Sequence, residues 1–591
     1  MNRNKPRNPL GISHQKWKML QEKYGAELTG IIERCAYELA VSQDISFDIA
    51  DRFVRQRAEV FELCPSRLSY ALLYVLSAAE SGPVDRNSEF GESVMECQGS
   101  TCIPKSAAYG YIESLLRLEE GTIDIKILDS VIKHLALKGR ISVNRVGDQI
   151  FLARKNSYLC EKKAADRVNE LLAMPGIISD TDTDKRKMYK AIEAAMAETG
   201  KILSQEQKNA VCMVMQNRFS ILTGGPGTGK SMTQKVMIQT FLNLKPDATV
   251  RCIAPTGQAA NRLHEATGHP ASTLHAALGI IPGEEKEART LFDDLILVDE
   301  ASMMDVRIFS ELITHISDNS VIVLIGDTAQ LPSIAAGDVL QCLINADSVP
   351  TTCLTKIFRQ GDNSIAFNCA KIKAGISEME EDASFRFIEC QSSEEIAKEV
   401  CRVYSEKVNE RGIDAVCCLS PYRNLTKTGV NELNRSIRKN LKDIRNLPFV
   451  ENGKTRIYEG DKVTFLKNRF GLINGDMGTA VSCLGNSCTV RFGEAVYTFS
   501  GEELSYLDAA FAQTVHKAQG MEYETCIIVC DLAHSDFMTR NLFYTALSRA
   551  KRECICIGSK KAMHKAIANN TALSRTCCLG LMFAQKSKKY F

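Results

Sequence analysis

Apolar positions along the chain follow two rhythms, and the change between them falls near residue 200. Ahead of it they recur at helical spacing: Trp17 to Leu39 reads as one helix and Phe47 to Ala58 as a second, joined by Ser42-Gln43-Asp44. Cys64-Pro65 breaks the run, because proline disfavours helical backbone in the residue before it. Leu68 to Ala79, Ser106 to Leu118 and Ile127 to Lys138 predict three further helices, with a polar loop through Cys97 and Cys102 after the first. Ile141-Ser142-Val143 and Ile150-Phe151-Leu152 then read as strands about Gly147-Asp148, a hairpin turn signal. Two more helices, Ser157 to Leu172 and Lys187 to Thr199, flank the solvated acidic turn at 180–184.

Past that point, short continuous apolar runs alternate with helical stretches and each run stops at a polar loop. Ser220–Leu222, Val250–Ala254, Leu295–Val298 and Val321–Ile325 are four such runs. This alternation predicts an α/β fold with a parallel sheet, which binds ligands at the carboxyl ends of its strands. The first run ends in Gly224-Gly225-Pro226-Gly227-Thr228-Gly229-Lys230-Ser231, spaced G-x-x-x-x-G-K-S. Such a loop closes backbone N–H groups around nucleotide phosphates. Lys230 is placed to neutralise the β and γ oxygens, and the Ser231 hydroxyl to hold Mg²⁺. The helix that follows, Met232 to Phe241, points its positive N-terminal end at the anion. Asp299, directly after a buried strand, needs a nearby cation, and Mg²⁺ shared with Ser231 meets that need. Glu300 is then placed to orient or deprotonate the attacking water, and Gln330 to sense the γ-phosphate. Ser204 and Gln207 have the spacing of a capping box, while the Gln207 amide is equally suited to the adenine edge.

Composition adds bounds. A chain of 591 residues with 45% hydrophobic positions predicts several domains with real cores. A net charge of +2 leaves any polyanion to be held by local surfaces. The 22 cysteines scatter without a C-x-x-C pair, which reads as reduced, packed thiols and gives no zinc site. No apolar leader opens the chain and no run approaches the roughly 18 residues of a membrane span, so a soluble, cytoplasmic protein is expected.

The order Gln207, Gly224–Ser231, Ala254-Pro255-Thr256-Gly257, Thr273-Leu274-His275, Asp299-Glu300-Ala301-Ser302-Met303-Met304-Asp305 and Gly326-Asp327 to Gln330-Leu331-Pro332-Ser333 resembles the RecD-like group of superfamily 1 helicases. Leu354 to Gln360, Ala512 to Glu522 and Tyr544 to Lys551 resemble that family's motifs IV, V and VI. The resemblance implies two RecA-like domains with ATP between them. Arg359 and Arg549 would reach across from the second domain as fingers on the γ-phosphate, with Gly520 and Glu522 approaching the γ-phosphate and ribose. Pro255, Thr256, Thr273, His275, Thr514 and His516 would line a track for single-stranded DNA. Residues about 455–505 look like the family's SH3-like insert, in which Lys467 and Arg469 are either backbone contacts or part of a solvated hairpin.

The implied organisation is a helical module at 1–65, a winged-helix-like domain at 66–155, a helical linker at 156–200, and RecA-like domains at 201–345 and 346–591. The winged-helix-like region is either a DNA contact or a brace. Three departures stand out. Asp44-Ile45-Ser46-Phe47 replaces a glycine-bearing hairpin, the pin-like insert at 279–293 is short and acidic, and Gln258 stands where relatives often carry arginine. The activity implied is ATP-driven unwinding of DNA with 5′ to 3′ movement, in repair or recombination, acting on single strands and duplex junctions. The alternatives are a motor subunit of a nuclease complex, an RNA-directed helicase, and a nucleotide-gated DNA-binding protein that does not unwind.

Overall fold

The four apolar runs lie side by side in one sheet of a computed structural model. It describes residues 8–587 except 58–62, 83–89, 92–93, 95–96, 282–286, 359–363, 425–426, 443–446, 452–455, 536 and 572–574. The sheet has six strands in the order Ala271–Thr273, Val250–Ala254, Leu295–Val298, Val321–Gly326, Phe219–Gly224, Thr351–Leu354. Every pairing is parallel, with Ile253 opposite Val298, Val298 opposite Leu324, and Leu222 opposite Ile325. Successive side chains alternate between the faces. Ile221, Ile253, Ile296, Ile322 and Leu324 meet Phe309, Leu312 and Val168 on one side, while Leu222, Leu297, Val323 and Ile325 meet Val236, Phe241 and Val211 on the other. Both faces are covered, as a parallel sheet requires. The loops after Gly224, Ala254, Val298 and Gly326 therefore emerge at one edge.

A second parallel sheet runs Phe385–Glu389, Ala550–Gly558, Tyr523–Cys530, Val416–Ser420, Ala512–Thr514. Its faces carry their own cores, around Phe543 and Leu547 on one side and Tyr404 and Phe511 on the other. Between its strands lies an antiparallel five-stranded sheet ordered Ala495–Ser500, Ser487–Phe492, Met477–Leu484, Lys462–Phe465, Leu507–Ala509. Phe465 centres that core, 5.5 Å from Phe499 and 6.1 Å from Phe492 between ring centroids.

In the N-terminal region the pattern predicted one helix where the structure has three: His14–Tyr24, Glu27–Cys35 and Tyr37–Val41. The first break is at Gly25, whose φ of +53° suits glycine. The last short helix turns Tyr37 inward, stacked on Phe47 and Tyr70 with both centroids at 5.2 Å, and its hydroxyl donates to buried Asp51 at 2.6 Å. Helices Pro65–Ser81, Lys105–Leu116 and Ile125–Leu137 follow, then strands Ile141–Val146 and Gln149–Arg154 about the expected Gly147-Asp148 turn. A third strand, Cys102–Pro104, pairs with Gln149–Arg154 and had no alternation to announce it.

The C-terminal helix Cys578–Ser587 packs against Lys155–Ala173 on the first sheet's outer face, with Leu579 and Phe583 in the core there. Glu161 is buried at this junction and accepts from Thr101 Oγ1 at 2.9 Å and Leu579 N at 3.0 Å. Burial pushes its carboxyl up to about 7, above the ordinary glutamate value. A raised carboxylate pKa contributes stability that is complete below about 4.5 and is lost as pH rises through about 7. Glu161→Gln should therefore raise stability at pH 8 by about 1–3 kcal/mol, with the gain vanishing below about pH 5, as read from denaturant unfolding at both pH values.

Candidate nucleotide cleft

The phosphate loop joins strand Phe219–Gly224 to helix Lys230–Leu244. Gly227 and Gly229 have φ of +77° and +82°, and a Cβ on Gly229 would stand 2.5 Å from Gln207 Nε2, so the loop tolerates only glycine there. Lys230 Nζ donates to the carbonyls of Gly224 at 2.6 Å and Gly225 at 3.1 Å, curling over the concave side of its own loop. Gln207 closes the back. Its Oε1 accepts from Ser204 N at 2.9 Å to complete the capping box, and its Nε2 donates to Thr228 O at 3.1 Å. Both ends of that amide are thus used in shaping the loop.

Asp299 and Glu300 follow strand Leu295–Val298. Glu300 has φ of +50°, a left-handed conformation that costs a side-chain-bearing residue about 1–3 kcal/mol and tends to persist only where a site demands it. Burial and the adjoining Glu300 carboxylate push Asp299 up to about 6, against the pull of Lys230 and Arg262. Asp299 and Glu300 line the same cleft as Lys230 and Ser231, a set of oxygen donors that would suit Mg²⁺.

The loop after Val321–Gly326 is held from the second lobe by helix Arg540–Ser548 and the residue that caps it. Asn541 Nδ2 donates to the carbonyls of Ala329 at 3.1 Å and Gln330 at 3.0 Å. The Tyr544 hydroxyl donates to Asp327 Oδ2 at 2.7 Å, and Leu331 N donates to Thr545 Oγ1 at 2.9 Å. Arg549, buried, donates through Nη2 to Gln330 Oε1 at 3.0 Å and through Nη1 to Met521 O at 3.2 Å. Gly520 and Glu522 meet Arg262 of the first lobe: Nη1 donates to Gly520 O at 2.9 Å and Nη2 pairs with Glu522 at 3.0 Å.

A cleft of about 450 Å³ is lined by residues 225–232, Arg262, Asp299, Glu300, Gln330, Glu522, Arg549 and Lys551, while Gln207 and Gly520 lie outside that lining. Arg359 lies outside the described residues; Phe358 N donates to Gly227 O at 2.8 Å. Sequence reasoning missed Arg262 and Asn541. Asn541 had a signal: it shares one face of its helix with Tyr544, Thr545 and Ser548, an unusual polar stripe on an otherwise apolar turn.

The residues expected along a DNA track lie outside that cleft lining. Pro255 and Thr256 follow one strand and Thr273 ends its neighbour, with Ala254 opposite Thr273. Thr256, Thr273 and Thr514 each use their hydroxyl to accept a backbone N–H, from Ala259, Ala276 and Lys517, all at 3.3 Å. His275 is exposed. His516 packs 6.3 Å from the Phe537 ring, and burial lowers its pKa. Part of the pin-like insert, 282–286, lies outside the described residues. The rest is tied down by Arg289 N to Leu278 O at 2.8 Å and by Arg251 to Asp293 at 2.6 Å. Gln258 is bonded across to the inserted sheet, donating to the Gly475 carbonyl.

Residues 202–392 match a family model described as AAA domain, and 509–557 match one described as UvrD-like helicase C-terminal domain. The ATP-dependent RecD2 DNA helicase of Deinococcus radiodurans is 29% identical over 589 residues, spanning 96% of this chain and 76% of that one. The chain is thus similar, over nearly its whole length, to a RecD-like helicase. Another relative, the RecBCD enzyme subunit RecD of Mycolicibacterium smegmatis, is 28% identical over 410 residues, covering 61% of this RecD-like chain and 72% of the relative. A solved structure of Bacteroides Pif1 bound to ssDNA aligns with 60% of this chain and 92% of its own, at 20% identity and a TM-score of 0.39. Among the described residues of this RecD-like protein, no helix is long and apolar enough to cross a membrane.

Tyr544→Phe should leave the buried Asp327 carboxylate without the donor that crosses from the second lobe. Loss of about 1–3 kcal/mol is expected, measured by denaturant unfolding of the variant beside wild type.

Proposed function

We infer that this RecD-like protein hydrolyses ATP in the cleft between its two RecA-like lobes and uses the cycle to move along single-stranded DNA and unwind duplex. The observation that carries the reading is Arg549 of the second lobe, bonded to Gln330 in the same cleft that holds Lys230, Asp299 and Glu300. The phosphates of ATP replace the Gly224 and Gly225 carbonyls as partners of Lys230, and the loop N–H groups take the β-phosphate. Ser231 and Asp299 would hold Mg²⁺, which would supply positive charge beside the phosphates. Glu300, fixed by its left-handed backbone, orients the attacking water and accepts its proton. Arg549 supplies positive charge to the transferring phosphoryl group, with Arg359 assigned the same role by its motif; such a finger accelerates hydrolysis by roughly 10³–10⁵. Gln330 loses its γ-phosphate partner on hydrolysis and passes that change through the loop to the second lobe. Gln207 is assigned to the adenine edge, for which its amide keeps a second N–H and a second oxygen lone pair beside the two bonds it makes.

Pro255, Thr256, Thr273, His275, Thr514 and His516 are assigned to the DNA track. Backbone amides and hydroxyls there suit phosphates, and the rings suit base stacking worth about 1–3 kcal/mol per base. The division into regions 1–65, 66–155, 156–200, 201–345 and 346–591, with a pin at 279–293 and an SH3-like insert at about 455–505, is part of the same proposal. So are 5′ to 3′ movement, cytoplasmic location and a role in repair or recombination. The similarity to the Deinococcus helicase spans the N-terminal region as well as the lobes, whereas the similarity to the RecBCD subunit covers 61% of the chain. That difference favours a helicase working without a nuclease complex.

Strand displacement on duplexes carrying a 5′ or a 3′ tail tests this, with Lys230→Ala as the inactive control. Displacement of the 5′-tailed duplex alone is expected; ATP hydrolysis indifferent to single strands, with no displacement, contradicts it. Glu300→Gln should bind ATP with unchanged affinity while its turnover falls by at least about 100-fold, the scale of general-base loss, in equilibrium binding and steady-state assays.

A further inference from the structure

The segment after the second sheet returns to the first lobe and grips one loop of it. Arg575 Nη1 donates to the carbonyl oxygens of Ser333 at 2.8 Å and Gly337 at 3.1 Å, with Ala335 O and Ser333 Oγ at 3.4 Å. The Ser333 hydroxyl itself bonds Ala335 O at 2.8 Å and Gly337 O at 2.9 Å, so the turn is curled with its carbonyls converging on one guanidinium. An arginine that spends donors on the carbonyls of a single loop fixes that loop's shape.

The grip is braced from the N-terminal region. Thr101 N donates to Thr576 O at 2.9 Å, Thr576 N to Ser100 Oγ at 3.0 Å, and Cys578 N to Thr101 Oγ1 at 3.1 Å. Gly337 N donates to Gly99 O at 2.8 Å. Gly99 has φ of +87°, and a Cβ there would stand 2.4 Å from Arg575 Nε, so the guanidinium fits only because position 99 lacks a side chain.

The gripped loop is the one that carries Gln330. Its near end, Asp327 to Leu331, is held by Asn541, Tyr544, Thr545 and Gln519 of the second lobe. Its far end, Ser333 to Gly337, is held by Arg575. We propose that Arg575 is a positioning residue for ATP hydrolysis, anchoring the far end of this loop so that the near end presents Gln330 to Arg549. The proposal rests on the cleft being the hydrolytic site. Because the anchor is built on Gly99 to Thr101, it also ties the N-terminal region to the nucleotide-sensing loop.

The test is steady-state ATP hydrolysis by the full chain with saturating single-stranded DNA. Arg575→Ala should lower kcat about 10-fold and leave KM for ATP within about twofold, because the phosphate loop is untouched. Arg575→Lys, which keeps the charge but reaches fewer carbonyls, should fall between. Gly99→Ala, which displaces the guanidinium without deleting it, should repeat the Arg575→Ala pattern. If Arg575 acts through Gln330, the double variant Arg575→Ala/Gln330→Ala should lose no more than Gln330→Ala alone. Wild-type kcat in Arg575→Ala, or losses that multiply in the double variant, would overturn the proposal while impaired Gln330→Ala and Arg549→Ala left the cleft reading intact. Normal turnover in Gln330→Ala and Arg549→Ala would overturn both. Should Arg575→Ala not fold, Arg575→Lys and Gly99→Ala decide by the same criteria.

Discussion

One short loop, from Asp327 to Leu331, holds the two lobes in register. It leaves the carboxyl end of a buried strand in the first sheet and is met by a buried helix of the second. Hydrogen bonds of this kind are worth about 0.5–1.5 kcal/mol net, and leaving one end buried and unpaired costs more. The contact is therefore kept or lost as a unit. It sets Arg549 against Gln330 in the cleft that Lys230 also lines.

The parallel sheet of the first lobe was legible because four apolar runs of strand length each end on a glycine, proline or carboxylate that a strand interior rejects. Edge strands were harder. Ala271–Thr273 and Thr351–Leu354 are short and only partly buried, and they carry no alternation that distinguishes them from loops. Cys102–Pro104 is shorter still, and its pairing with Gln149–Arg154 depends on tertiary contact alone. The long N-terminal helix was misread because its apolar spacing continues through Gly25 and Ala36, where the chain turns to bring Tyr37 onto Phe47 and Tyr70. A pattern of burial repeats across a bend as readily as along a straight helix.

The cleft was read residue by residue wherever a side chain carries chemistry that no ordinary packing needs: a lysine after glycines, a carboxylate at a strand end, an arginine after a buried helix. Arg262 escaped because its partners, Gly520 and Glu522, are distant in sequence and leave no local spacing, whereas Asn541 left a polar stripe on its helix that points to no particular partner. Gln207 shows the converse. Its spacing allowed two readings, and the structure shows the capping bonds formed, with the remaining amide end supporting the phosphate loop. The three threonines assigned to the track likewise cap their own backbone, but only as acceptors, and a hydroxyl that accepts can still donate its proton to a phosphate.

The central claim is that the lobes clamp a triphosphate between the loop ending in Lys230 and the arginine after the second-lobe helix. A crystal structure of the full chain with single-stranded DNA and a non-hydrolysable ATP analogue tests it most directly. The account predicts the γ-phosphate within hydrogen-bonding distance of both Lys230 and Arg549, with Glu300 facing the in-line water. A nucleotide bound with Arg549 turned away from the phosphates would contradict it.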